Sequence, residues 1–212
     1  VVGQETEMAS CIYHDDFGAG RAMGQEVALK ALKQNGGRPE DCKIAYIGVT
    51  REDKAAGAAR EDGFRKGLQE AGISFDDHRY RRESEFTMNG GYEAAVDLLS
   101  EEDGIDIISC ATDTIAAGAI EALIAQSKKA VPESVQNTGA RMLHILEQSG
   151  ICVTGFGDNQ MLKAVTGGIP TVHFGYKTSG IKGAELLLEQ IEEENPVPVH
   201  MKLGFQIVNR FE

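Results

Sequence analysis

Two shortages in the composition of this 212-residue chain exclude classes of function: it has few cysteines and few basic side chains. The four cysteines, at positions 11, 42, 110 and 152, form no CxxC pair and lack the spacing of metal ligands. We therefore expect free thiols in a reducing, cytoplasmic setting, and no metal site. Lysine and arginine total 21 against 33 aspartates and glutamates, a net charge of -12. A surface this acidic disfavours binding to the phosphate backbone, so this segment is not expected to bind nucleic acid itself.

Long apolar runs are also missing. No run approaches the roughly 18 residues that span a bilayer, so no membrane partner is expected. The first basic side chain is Arg21, and acidic residues precede it. A signal peptide begins with a positively charged segment ahead of an apolar one, so none is predicted.

Catalytic motifs are absent as well. The chain contains no GxGxxG after a strand, no GxxxxGK(S/T), no GxSxG and no HExxH, the signatures of several enzyme and nucleotide-binding classes. Its five histidines, at positions 14, 78, 144, 173 and 200, do not have metal spacing. The neighbouring pairs at 15–16 and 76–77 point apart, which makes them poor acid/base pairs. We expect neither an enzyme nor a bound cofactor.

The chain is organised around a strand, a polar turn and a helix at 105–118, IDIISCATDTIAAG. Residues 151–159, ICVTGFGDN, repeat this pattern. Strand-like and helix-like segments alternate along the whole chain, which predicts an α/β fold with parallel sheets flanked by helices. The length allows one large core or two lobes of about a hundred residues each.

Polar and aromatic residues stand at the predicted strand ends, where open α/β sheets bind small ligands. The candidate ligand-binding residues are Arg60, Phe86, Thr112, Asp113, Asp158 and Phe174. Aromatic faces together with carboxylates and an arginine are suited to a sugar, which has an apolar ring face and a hydroxyl rim.

Each candidate also has a purely structural interpretation. Asp113 and Asp158 precede predicted helices and could serve as N-caps. Thr112 could bond only to the local backbone. Arg60 could lie on a solvated helix face rather than offer its donors to hydroxyls or a carboxylate. The two phenylalanines could be core residues.

Six short motifs in order give the chain a resemblance to the effector-binding core of the LacI/GalR family of bacterial transcription regulators, most like sucrose-operon repressors. They are HDDFG (14–18), KIAYIG (43–48), AREDGF (59–64), CATDTIAAG (110–118), VTGFGDN (153–159) and TVHF (171–174). The resemblance implies a periplasmic-binding-protein-like fold, with two lobes and a ligand in the cleft between them. It implies that 1–40 and 176–194 form the N-terminal lobe, and that 41–175 and 195–212 form the C-terminal lobe.

The same resemblance assigns roles to the candidate residues. Arg60 matches the family's sugar-contacting arginine and Phe86 its pocket aromatic. Thr112-Asp113 matches the polar pair at a strand tip, and Phe174 a further pocket position. The family's acidic contact aligns with Gly157 or Asp158, and the glycine departs from the pattern.

Two departures concern the length of the chain. The family's helix-turn-helix head and the first strands of its N-terminal lobe have no counterpart here, so we expect an incomplete lobe and either a piece of a longer product or an incomplete gene. Residues 137–148 are an insertion relative to the family pattern, and 138–148 read as an extra amphipathic helix.

The expected function is therefore that of a sugar-responsive repressor. A sugar or sugar phosphate would bind in the cleft of a homodimer and alter operator binding by the absent head. Alanine at Arg60 is expected to abolish sugar binding and leave the fold intact. The alternatives are a periplasmic-type sugar-binding protein of a transport system and a sugar-processing enzyme.

Overall fold

The computed structural model describes residues 2–3, 9–126, 148–194 and 196–211. Strands and helices alternate along these residues, which confirms the predicted α/β class. In chain order the elements are β1 (Val2–Gly3), β2 (Cys11–His14), α1 (Asp16–Gln34), β3 (Ile44–Gly48), α2 (Arg60–Glu70), α3 (Asp77–Tyr80), β4 (Arg81–Glu83), α4 (Met88–Glu101), β5 (Ile107–Cys110), α5 (Asp113–Gln126), β6 (Cys152–Thr154), α6 (Gln160–Thr166), β7 (Thr171–Phe174), α7 (Tyr176–Glu192), β8 (His200–Leu203) and β9 (Phe205–Val208). Most of the extra helix predicted at 138–148 lies outside the described residues.

The larger sheet is parallel and has the strand order β4-β3-β5-β6. Every residue of β3 and of β5 is buried. A strand covered on both faces needs a nearly continuous apolar sequence, and the IAYIG and IISC segments provide it. Because neighbouring strands are parallel, the loops that follow β4, β3, β5 and β6 all leave the sheet at the same edge.

A smaller parallel sheet has the order β1-β2-β8, and β7 pairs antiparallel with β9. The tail was predicted to lie entirely with the second lobe. In the structure its first strand, β8, pairs with β2, and only the second, β9, pairs with β7. The tail is therefore shared between two groups of strands.

Helices α1 and α2 pack with their backbones in close contact. A Cβ at Gly20 or Gly24 of α1 would collide with carbonyl oxygens of α2, and one at Gly63 or Gly67 of α2 would collide with those of α1. Alternating glycines thus remove the side chains that normally hold two helices 8–10 Å apart. This contact places the first turn of α2 beside the first turn of α1.

This packing bears on the predicted lobe boundaries. Residues 1–40 were assigned to one lobe, but α1 shares its core with the larger sheet, with Met23 and Val27 in the same cluster as Ile47 and Phe64. Helix α7 instead contacts β1 and β2. We therefore propose that β1, β2, α7 and β8 form one lobe and that the chain crosses between lobes near residues 15, 175 and 204.

Candidate functional site

A hollow of about 360 Å³ opens at the edge where the strands of the larger sheet end. The loops after β3, β4, β5 and β6 contribute to it, and so does the first residue of α7 after β7. Such an edge is the usual ligand position in open α/β sheets. The lining residues are Ala56, Arg60, Phe86, Thr112, Asp113, Thr114, Phe156, Gly157, Asn159 and Tyr176.

Arg60 reaches this hollow from the start of α2 and is only 8% exposed. Its Nε and Nη2 both donate to Asp16 Oδ1, the Nε bond at 3.1 Å, and Nη1 donates to the Ala111 carbonyl. The guanidinium also lies over two aromatic rings, 4.7 Å from the Phe156 centroid and 5.4 Å from that of Phe174. A guanidinium has five N–H donors, so two of them are not used by these bonds. Arg60 is thus a fixed, charge-paired group and not part of a solvated helix face.

Asp113 holds the loop that follows β6. Its Oδ2 accepts from the Asn159 backbone N–H at 2.6 Å, and its Oδ1 accepts from the Thr171 hydroxyl at 2.7 Å. Its own N–H donates to the Phe156 carbonyl at 2.9 Å. Burial raises the pKa of this carboxyl, and the two hydrogen bonds oppose that rise. Asp113 therefore fixes the wall of the hollow in two ways, holding Asn159 through its carboxylate and Phe156 through its backbone N–H.

The N-cap interpretation of the two aspartates is wrong. Thr112 caps α5, with its hydroxyl accepting from the Ile115 N–H at 3.2 Å. Asn159 caps α6 by accepting from the N–H groups of Met161 and Leu162. The prediction of a local backbone bond for Thr112 is confirmed, and this bond leaves Thr112 at the rim of the hollow.

Two predicted candidates do not line the hollow. Asp158 has a left-handed backbone, with φ of 49°, and its carboxylate lies 3.1 Å from Arg210 Nη2 and 3.3 Å from His173 Nδ1. Phe174 is 1% exposed and packs behind Arg60, with its ring 4.9 Å from that of His14. The core interpretation therefore holds for Phe174. It fails for Phe86, which is 50% exposed at the hollow.

The lining residues that were not among the predicted candidates include three larger side chains, Phe156, Asn159 and Tyr176. All three stand within a few residues of a strand end, which is the same signal that selected Thr112 and Asp113. The two aromatic rings extend the apolar wall begun by Phe86, so the hollow combines three ring systems with an arginine, hydroxyls and an amide. Apolar walls with a few converging polar groups are typical of small-molecule sites.

Among the described residues that line the hollow, none is a histidine or a cysteine. Within the described ranges, no group of three histidine, cysteine or acidic side chains could hold a metal ion. In the same ranges, no helix combines the length and the apolar character needed to cross a bilayer.

A family model described as periplasmic binding proteins and sugar binding domain of LacI family matches residues 4–203. Among curated relatives, the HTH-type transcriptional regulator CelR of Thermobifida fusca is 26% identical over 209 residues, which are 99% of this chain and 53% of the relative. The sucrose operon repressor of Staphylococcus xylosus is 26% identical over 197 residues, 92% of this chain and 51% of the repressor. The chain thus spans about half the length of these relatives.

Solved structures of such regulators have the same fold. A complex of the transcriptional regulator CelR with cellobiose superposes with a TM-score of 0.73 at 25% identity, covering 98% of this chain and 55% of the other. A LacI family transcriptional regulator from Enterococcus faecium with bound ribose gives a TM-score of 0.74 at 19% identity, covering 100% of this chain and 68% of the other. The predicted periplasmic-binding-protein-like fold is therefore confirmed.

Proposed function

The chain belongs to the family of periplasmic binding proteins and LacI-type sugar-binding domains, and on that basis we propose that it is the effector-sensing core of a sugar-responsive transcriptional regulator. The observation that carries the proposal is the convergence of Arg60, Phe86, Thr112 and Tyr176 on one hollow. Aromatic faces cover the apolar side of a sugar ring, and the guanidinium and hydroxyls reach its rim. Phe174 and Asp158 support this site from outside the hollow.

The position of the hollow suggests how binding is transmitted. Tyr176 lines it and begins α7, directly after a proposed lobe crossing, and Asp16 stands beside another crossing and pairs with Arg60. The His14 and Tyr176 rings, 5.5 Å apart, connect the two crossings. A ligand that contacts these residues favours one lobe arrangement by its differential affinity, typically about 1–3 kcal/mol.

Operator binding is proposed for the whole protein and not for these 212 residues alone. Relatives about twice as long carry the name of HTH-type regulators, and a helix-turn-helix head would supply the phosphate contacts that this acidic core disfavours. We place the protein in the cytoplasm and assign it no enzymatic activity. The names of the relatives favour this function over sugar binding for a transport system.

A homodimer is proposed through an apolar face beside the hollow. Met88, Ile124, Met161 and Val165 contribute to this face, and Met161 is 75% exposed. Exposed apolar patches of this kind mark interaction surfaces, and a second copy is the partner that an operator-binding dimer needs.

Met161→Glu should shift the protein from dimer to monomer in size-exclusion chromatography with light scattering. Leu29→Glu is the control, since Leu29 is an exposed residue of α1 outside this face. An unchanged mass for Met161→Glu would remove this face from the interface.

The sugar-sensing proposal is tested by calorimetry and thermal shift with a panel of sugars. Phe86→Ala should weaken the best sugar about tenfold or more without loss of stability, since an exposed ring contributes little to folding. Phe17→Ala is a matched control, because Phe17 is 46% exposed and lies outside the hollow. Failure of every sugar to bind, or release of products from a bound sugar, would overturn the proposal.

A further inference from the structure

A second hollow, of about 790 Å³, adjoins the first at the ends of β3 and β4. Phe86 lines both, so the two hollows meet at one residue. Both volumes lie within the range of about 300–1,000 Å³ that is common for small-molecule sites. The residues lining the second hollow are Val49, Thr50, Glu83, Ser84, Glu85, Phe86, Asn89, Gly90, Glu93 and Ala94.

The segment that carries Phe86 is held at both ends. Ser84 is buried, its N–H donates to the Gly48 carbonyl at 2.9 Å, and its hydroxyl donates to the Glu85 carbonyl at 2.7 Å. Thr87 caps α4 by accepting from the Gly90 N–H at 3.0 Å. The ring between these anchors is half exposed. A fixed backbone with an exposed ring is suited to a stacking platform, because little entropy is lost when a ligand covers it.

The charges of the second hollow select against anions. Among the described residues that line it, the ionisable side chains are Glu83, Glu85 and Glu93, and none is a lysine or an arginine. Glu83 is paired with Arg81 at 3.0 Å, and Glu93 accepts from the Asn89 amide at 2.9 Å. In the first hollow, the Arg60 charge is already compensated by Asp16. A phosphate would therefore meet uncompensated carboxylates, whereas sugar hydroxyls can donate to them.

We propose that the two hollows form one extended site for a neutral oligosaccharide of at least two sugar units. One unit occupies the hollow at Arg60, the next occupies the hollow at Asn89 and Glu93, and both contact the Phe86 ring. This inference rests on the proposed sugar-sensing function and specifies its effector class. It excludes a sugar phosphate as the preferred ligand.

Calorimetry on the whole chain tests the proposal with cellobiose, maltose, sucrose, glucose, fructose and glucose 6-phosphate. The best disaccharide should bind about tenfold or more tightly than its component monosaccharides, since the second hollow adds at least one charge-assisted hydrogen bond. Glucose 6-phosphate should bind more weakly than glucose.

Glu93→Ala should weaken the disaccharide about tenfold and change monosaccharide affinity little, by the same reasoning. Glu101→Ala is the matched control, because it removes an exposed glutamate from the same helix outside both hollows. The extended site is overturned if mono- and disaccharide bind equally, if Glu93→Ala weakens both alike or neither, or if the phosphate binds best. Monosaccharide binding under those outcomes would leave the sugar-sensing function standing. Absence of all sugar binding would overturn both.

Discussion

Replacing Arg60 alone should destabilise the protein more than replacing Arg60 and Asp16 together. The Asp16 side chain is 9% exposed and accepts two hydrogen bonds from the guanidinium. Arg60→Met leaves that carboxylate buried without its partner, which typically costs about 3–5 kcal/mol. Folding free energies of about 5–15 kcal/mol make this a large loss. The pairing also revises the expectation that alanine at Arg60 leaves the fold intact.

The double variant Arg60→Met/Asp16→Asn removes both charges. It still loses the bond from Nη1 to the Ala111 carbonyl, so we expect it to lie within about 1–2 kcal/mol of the parent protein. Asp16→Asn alone weakens bonds to a charged group and should cost about 1.5–3 kcal/mol. The double-mutant cycle should therefore give a favourable coupling of about 2.5 kcal/mol or more.

Urea unfolding followed by far-ultraviolet circular dichroism measures these differences, since the chain has no tryptophan to report by fluorescence. A loss below about 1 kcal/mol for Arg60→Met, or single losses that add in the double variant, would refute the argument for a buried pair. The folded double variant then allows a clean binding measurement. Its sugar affinity should fall, whereas unchanged affinity would remove Arg60 from the site.

Three further predictions concern the frame of the site. Gly63→Ala should lower the free energy of unfolding by about 1–3 kcal/mol, measured in urea, because its Cβ would push α1 and α2 apart. Gly180→Ala, in open space on α7, should raise the free energy of unfolding by about 0.5–1 kcal/mol. Asp113→Ala should cost about 1–3 kcal/mol by leaving the buried Thr171 hydroxyl and the Asn159 N–H without their acceptor, and should also weaken sugar binding; unchanged stability would contradict its role. Burial lowers the pKa of His14 below its ordinary value of 6.5, so folded protein binds fewer protons than unfolded protein and stability falls as pH drops below about 6.5. His14→Phe should reduce that loss between pH 7 and 5.5, while the same change at the exposed His78 should not.

The sequence predicted the elements well where local patterns decide them. The strand, turn and helix at 105–118 were predicted from residue types and spacing, and β5 and the start of α5 lie there. The lobe division proposed above differs from the predicted boundary at residue 40, because the assignment of α1 depends on which helix it packs against. That choice is made by glycines such as Gly24 and Gly63, whose partners are far apart in the chain.

The candidate site was predictable only to the level of strand ends. Arg60, Phe86, Thr112 and Asp113 line the hollow as the strand-end rule suggests. The rule identifies a position along the chain but not the direction of a side chain. Asp158 shows the difference. Its backbone is left-handed and its carboxylate faces Arg210 and His173, and no local sequence pattern predicts that direction.

The hydrogen bonds already made inside the site limit what a ligand can bring to it. Both Asp113 oxygens hold the protein's own loop, and three of the five Arg60 donors are engaged with Asp16 and Ala111. A ligand therefore meets two N–H donors of a charge-compensated guanidinium and three aromatic faces, rather than a free positive charge. An anion would lose its hydration free energy on entering the site and would not gain an unpaired positive charge in return. A hydroxyl-bearing ring can accept from the guanidinium and stack on the aromatic faces, so the internal pairing of the site itself favours a neutral sugar.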